Sequence, residues 1–105
     1  MLISMLNTRT ALLQALISGQ GYGLELAERV RERSRGKMNL GQGTLYPALR
    51  ALEREGLVRS WEADPTPERG GRPRVYYELT AKGAKAAQEE RRALADFVGL
   101  HEVKA

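Results

Sequence analysis

Apolar residues along this chain repeat at helical spacing three times, switch to alternation twice, and return to helical spacing at the end. In the first stretch Leu12, Leu13, Leu16 and Ile17 fall three and four apart, with Asn7 or Thr8 able to cap the start and Gly19 and Gly21 reading as a turn that stops it. Tyr22 and Gly23 lead into a second helix, where Leu26 and Val30, flanked by Leu24 and Ala27, face inward and charges fill the rest up to Gly36. The third has Leu45, Leu49 and Leu52 at i, i+4 and i+7, with Gly56 at the usual stop position. Pro47 lacks an N–H and is tolerated only near a helix start, so the regular part is expected to begin near Gly43 or Thr44.

Leu57 to Glu62 alternates, with Leu57, Arg59 and Trp61 on one side, and Arg74 to Leu79 alternates likewise, with Val75, Tyr77 and Leu79 on one face. Two strands follow from this. Between them, Ala63 to Pro73 is rich in Pro, Gly and charge, as suits an exposed hairpin tip. Thr80 then caps a helix expected from Ala81 to about Val103. Its apolar stripe is Ala84, Ala87, Leu94, Phe97 and Val98, and its solvated face carries the pairs Lys85/Glu89 and Arg92/Asp96.

The order helix, helix, helix, hairpin, helix is mainly α with a small β-hairpin: a winged helix-turn-helix followed by a long C-terminal dimerisation helix. Residues 1–79 form the first unit and 80–105 the second. At 105 residues the chain has room for one domain with a modest core, and a partner's burial would add to it. The stripe of Ala87, Leu94, Phe97 and Val98 continues past the end of a small winged domain, so it is assigned to pairing with a second copy, with Leu2 and Leu6 adding to that interface.

Composition narrows the chemistry. With no cysteine and a single histidine, His101, disulfides, thiolate nucleophiles, cysteine zinc sites and arrangements that need a second histidine are excluded; no metal, cofactor or enzyme activity is expected. No segment reaches the roughly 18 to 20 apolar residues of a membrane span. Met1 to Leu6 lacks the basic leader and length of a signal peptide, so a soluble cytoplasmic protein with no membrane partner is expected. Gly19, Gly21 and Gly23 lack the preceding strand and final glycine of a dinucleotide fingerprint, because Leu24 stands there. Glu53/Glu55 and Glu89/Glu90 read as solvated helix faces rather than acid and base.

Charge supplies the positive signal. The chain carries +4 overall, yet Arg29 to Arg59 alone carries a net +5, a footprint for a polyanion. If the leucines of the third helix face the core, Gln42, Tyr46 and Arg50 turn away from it, in a helix that would enter a major groove about 12 Å wide. Gln pairs with adenine, Arg with guanine or phosphate, and a Tyr hydroxyl with phosphate. Gly43 and Thr44 let backbone approach a phosphate at the helix start, with Lys37 and Asn39 beside them. Arg69, Arg72 and Arg74 lie on the hairpin arm, which can reach a neighbouring minor groove or backbone.

Tyr22-Gly23, the run Gly43-Thr44-Leu45-Tyr46-Pro47-Ala48-Leu49 followed by Leu52-Glu53-Arg54-Glu55-Gly56-Leu57-Val58, and Gly71-Arg72-Pro73-Arg74 leading through Tyr76-Tyr77 to Leu79-Thr80 and Gly83 together resemble the PadR family of bacterial transcriptional regulators. The likeness runs from about residue 8 to 92. It implies a winged-helix repressor, dimeric through its C-terminal helix, that binds a near-palindromic double-stranded operator and is in many members released by a small-molecule effector. It also implies that Tyr46 and its neighbours lie at the DNA surface. The chain is similar to the short-tailed branch. It departs from members that hold flat hydrophobic compounds between paired C-terminal helices, since Trp61 lies on a wing strand and Phe97 is the sole aromatic of the last helix. The rival reading is a winged-helix protein–protein interaction module that uses the same basic face without specific DNA binding.

Overall fold

The computed structural model describes residues 7–63 and 73–99. Helix α1 (Thr8–Leu16) starts where the Asn7 side-chain carbonyl accepts the Thr10 N–H at 2.8 Å. Leu12, Leu13 and Leu16 are buried, and α1 packs against each of the later helices. Strand β1 (Gly21–Tyr22) leads directly into α2 (Gly23–Arg33), whose start is tied by Glu25 reaching back to the Tyr22 N–H. The exit from α2 turns through two left-handed residues, Arg35 at φ 56° and Gly36 at φ 81°, and the Gly36 N–H donates to the Arg31 carbonyl at 2.7 Å. Helix α3 (Gln42–Arg54) ends at Gly56, whose φ of 78° is open to glycine and strained for other residues. Strands β2 (Val58–Glu62) and β3 (Val75–Leu79) precede α4 (Ala81–Val98).

The three strands form an antiparallel sheet in the order β1-β3-β2. Gly21 and Tyr22 are therefore a strand and not merely the turn that their glycines suggest. Two residues carry no periodicity, and what makes them a strand is pairing with Tyr77 and Tyr76. The inner face carries Tyr77, buried in the core. On the outer face the register aligns Tyr22, Tyr76 and Trp61 across all three strands. Tyr76 meets Tyr22 edge-on at 5.6 Å and stacks on Trp61 at 5.9 Å, while Arg74 lies over Tyr22 at 4.2 Å and Arg59 over Trp61 at 5.2 Å. Leu57 does not share the face of Arg59 and Trp61 as alternation suggests. It precedes the ladder, and both it and Val58 are buried while the chain swings off Gly56.

Seven side chains fill the centre: Leu12, Leu13, Leu26, Leu45, Leu49, Leu52 and Val58. Helix α4 joins this core by its first half only. Thr80 caps it, accepting the Gly83 N–H at 3.0 Å and donating to the Gly56 carbonyl at 2.6 Å. Ala87, assigned above to a second copy, is 0% exposed and packed into the chain's own core, so that assignment is corrected. Glu90, read as solvated, is half-buried and bonded to α1. Farther along, Leu94 and Val98 are half-buried and Phe97 is 77% exposed. Gly99 at φ 76° interrupts the helix expected to run to about Val103. Leu2, Leu6, Arg69, Arg72 and His101 lie outside the described residues.

Candidate nucleic-acid interface

Helix α3 has a fully buried spine of Leu45, Leu49 and Leu52, and the side opposite it is open. Gln42, Gly43, Thr44, Pro47, Arg50 and Arg54 are all exposed. The helix begins at Gln42, slightly earlier than Pro47 suggests. Gly41 accepts from both the Thr44 and Leu45 N–H groups at 3.0 and 2.8 Å, closing the first turn before the proline is reached. Pro47 then sits one turn inside, where it removes the bond that would satisfy the Gly43 carbonyl, on an exposed face where water can replace it.

The row Gln42, Tyr46, Arg50 is oblique to this open face. Tyr46 is half-buried against the core, and its ring lies so close to the start of α2 that a Cβ on Gly23 would stand 2.6 Å from it. Its presentation is therefore on the flank between α2 and α3, and the centre of the open face runs instead through Gly43, Pro47, Arg50 and Arg54. Arg54 could have been found from the sequence, since it lies four after Arg50 and seven after Pro47. A Cβ at Gly41 or Gly43 would meet nothing within 4 Å, so the backbone at the helix start is open to an approaching surface. The N–H groups of Gln42 and Gly43 precede any intrahelical acceptor there. Lys37 is exposed just before, and Asn39 donates to the Gly36 carbonyl at 2.8 Å, fixing the turn between α2 and α3.

The basic stretch divides into two sets by partner. Arg29 donates to the carbonyls of Ala15, Gly19 and Gln20 and so closes the end of α1, a role that composition does not reveal. Arg31 pairs with Glu28, Arg33 bonds Ser18, and Arg59 pairs with Glu78. Among the described residues Arg35, Lys37, Arg50 and Arg54 have no ion-pair partner, and they gather around the turn and the open face of α3.

Strand β2 is tied to α3 by a side-chain bond. Ser60 of β2 donates to Glu53 of α3 at 2.7 Å. Burial pushes the Tyr77 phenol above the ordinary tyrosine range, reinforced by Tyr46 and Glu53 and opposed by Arg50. Arg74, at the base of the hairpin, is half-buried over Tyr22 on the outer sheet face. Glu55 is held by Arg9 at 2.5 Å, which lowers its pKa below the usual carboxylate range. Glu53, Glu55 and Glu90 thus serve structural bonds. Among the described residues no group of carboxylates and histidine is placed to hold a metal, and no helix is long and apolar enough to cross a membrane.

Residues 12–89 match the family model of the transcriptional regulator PadR-like family. The chain is similar to a transcriptional regulator of Mycobacterium tuberculosis, 39% identical over 67 residues that cover 64% of this chain and 59% of that protein. It spans about three-fifths of the length of the curated relatives it matches. Among solved structures, a transcriptional regulator from Clostridium thermocellum superposes with a TM-score of 0.70 at 29% identity, covering 92% of this chain and 90% of the other. A PadR family transcription regulator from Clostridium difficile superposes with a TM-score of 0.69 at 26% identity, covering 88% and 90%.

Proposed function

The chain belongs to the PadR-like family of transcriptional regulators, and from that premise we propose that it is a homodimeric, sequence-specific repressor that reads double-stranded DNA with α3. What carries this reading is the open face of α3 above a buried leucine spine, ringed by cations without acidic partners. Gln42, Gly43 and Thr44 approach the duplex at the helix start, Arg50 reaches base edges or phosphate from its centre, and Lys37 and Asn39 approach the backbone. Tyr46 supplies its hydroxyl from the flank. Arg69, Arg72 and Arg74 of the wing take the adjacent duplex, with the Ser60–Glu53 bond holding the wing at a set distance from α3.

The exposed Phe97, with Leu94 and Val98, supports pairing of two α4 helices beyond the DNA-binding body, with Leu2 and Leu6 adding to that contact. Residues 1–79 are then the DNA-binding unit and 80–105 the dimerisation arm, although the first turns of the arm are rooted in the core through Gly83 and Ala87. Two copies set their α3 helices about 34 to 36 Å apart, one turn of duplex. The protein works in the cytoplasm without cofactor or catalysis, and a small effector releases it.

Selection of bound duplexes from a random pool at near-physiological salt tests the proposal. The expected result is a near-palindrome with half-sites one turn apart and an affinity that falls steeply with added salt. Arg50→Ala should weaken the selected site by about tenfold or more, the effect of losing one base-reading or phosphate contact. Recovery of no preferred sequence would overturn specific recognition and favour the protein-docking module.

A further inference from the structure

Between α1 and α2 lies a cavity of about 80 Å³ that no bond of the fold fills. Ala11, Ala15, Val30 and Met38 make its walls, Ser34 its base, and Gln14 and Arg33 its rim. The Ser34 hydroxyl is already occupied, accepting from the Met38 N–H at 2.8 Å and donating to the Arg31 carbonyl at 3.2 Å. The interior therefore offers apolar contact and no free hydrogen-bond donor at its base. Its size is roughly half that of the ~150 Å³ cavity that admits benzene, which suits a branched group of three or four carbons.

The rim is different. Arg33 donates only to neutral oxygens, the Ser18 hydroxyl at 2.7 Å and the Gln14 carbonyl at 3.4 Å, and no carboxylate of the described residues pairs with it. Gln14 faces two ways. Its amide nitrogen donates to the Ala87 carbonyl at 2.8 Å and to Glu90 at 3.3 Å, and its amide oxygen accepts from Arg91 at 2.9 Å. Thr10 completes the clasp, donating to Glu90 at 3.0 Å. Gln14 thus borders the cavity, its backbone carbonyl facing Arg33, and by its side chain fixes α4 against α1.

We propose that this cavity is a binding site for a short branched aliphatic carboxylate, its alkyl end among Ala11, Ala15, Val30 and Met38, its carboxylate on Arg33, and its occupancy passed to α4 through Gln14. The site stands apart from the DNA-binding reading. Its consequence for DNA affinity, a changed tilt of the dimerisation arm, rests on that reading.

Titration of the full chain with isovalerate, followed by amide nitrogen–proton spectra, tests it. The expected result is saturable shifts at Ala11, Ala15, Val30 and Met38, together with the Gln14 side-chain amide and residues 87–91. The uncharged isoamyl alcohol should bind at least about tenfold more weakly, because it lacks the charge-assisted bonds. Ala11→Leu, which fills the cavity, should abolish the shifts; Arg33→Gln should lose most of the affinity and Arg33→Lys retain much of it. Equal binding of acid and alcohol, shifts elsewhere, or shifts that persist in either Ala11→Leu or Arg33→Gln would overturn the site. Shifts confined to the cavity walls would overturn the transmission. With a selected duplex in hand, isovalerate should alter its affinity severalfold; binding of isovalerate by a chain that selects no duplex would sink the DNA reading and leave the site intact.

Discussion

A β-carbon placed on Gly83 would sit 1.8 Å from the Leu57 carbonyl oxygen, inside the backbone of a neighbouring segment. The same carbonyl accepts the Thr80 N–H at 3.0 Å, so it cannot be moved aside without loosening the start of α4. On helix propensity alone, alanine would be favoured there by about 1 kcal/mol. Overpacking of backbone against backbone outweighs that, and Gly83→Ala should destabilise the fold by about 3 kcal/mol or more, read as a lower denaturation midpoint in urea. Arg9 and Glu55 give a residue-scale test of acid behaviour. Glu55 titrates lower in the folded chain, chiefly through its hydrogen bond to Arg9, so the stability it contributes is present above the unfolded carboxylate pKa and is lost as pH falls through the folded value. Arg9→Ala should therefore be less stable than the parent at neutral pH, with the gap closing below about pH 4; a gap independent of pH in thermal melts would contradict the pairing.

At the scale of the element, α3 is a compromise between a buried spine and an exposed proline. Pro47 costs one helical hydrogen bond and stiffens the unfolded chain in partial return. Pro47→Ala should stabilise the chain by about 2 kcal/mol in urea unfolding, the helix gain less the lost stiffness. Helix α4 changes role along its length. Its first turns are cut close to the core by Gly83 and Ala87 and clasped to α1 through Gln14, whereas its later turns carry Phe97 in the open. The outer sheet face, with Tyr22, Tyr76 and Trp61 in one row, ties the start of α2 to the wing.

For the whole molecule, the exposed end of α4 is where the proposed pairing of two copies is open to test. Phe97 is too open to matter to the fold of one copy, so its replacement separates folding from association. Phe97→Asp should leave the unfolding of the body unchanged but weaken self-association by about ten- to a hundredfold, the worth of one buried large apolar side chain. Sedimentation equilibrium of parent and variant checks this; equal association would remove Phe97 from the interface. The elongated shape, 54 × 29 × 25 Å, fits a body with a projecting arm.

Four helices, their order, and the leucines that face inward are all determined by local pattern: Leu45, Leu49 and Leu52 recur at the helix period, Asn7 and Thr80 cap, and Gly56 permits the left-handed turn that ends α3. The PadR likeness was equally legible, since it rests on runs of residues in order. What periodicity could not supply depends on contacts between elements distant in sequence. Gly21 and Tyr22 become a strand only because β3 lies alongside. Ala87 is core because α1 comes up against it, although on the helix it belongs to the same stripe as Phe97. Tyr46 turns to the flank because Gly23 leaves room for its ring. Which arginines stay free is settled by what lies across from them: Arg29 meets three carbonyls and Arg59 a carboxylate, while Arg50 meets neither. A sequence fixes the face a side chain takes on its own helix, and only packing in three dimensions decides what that face meets.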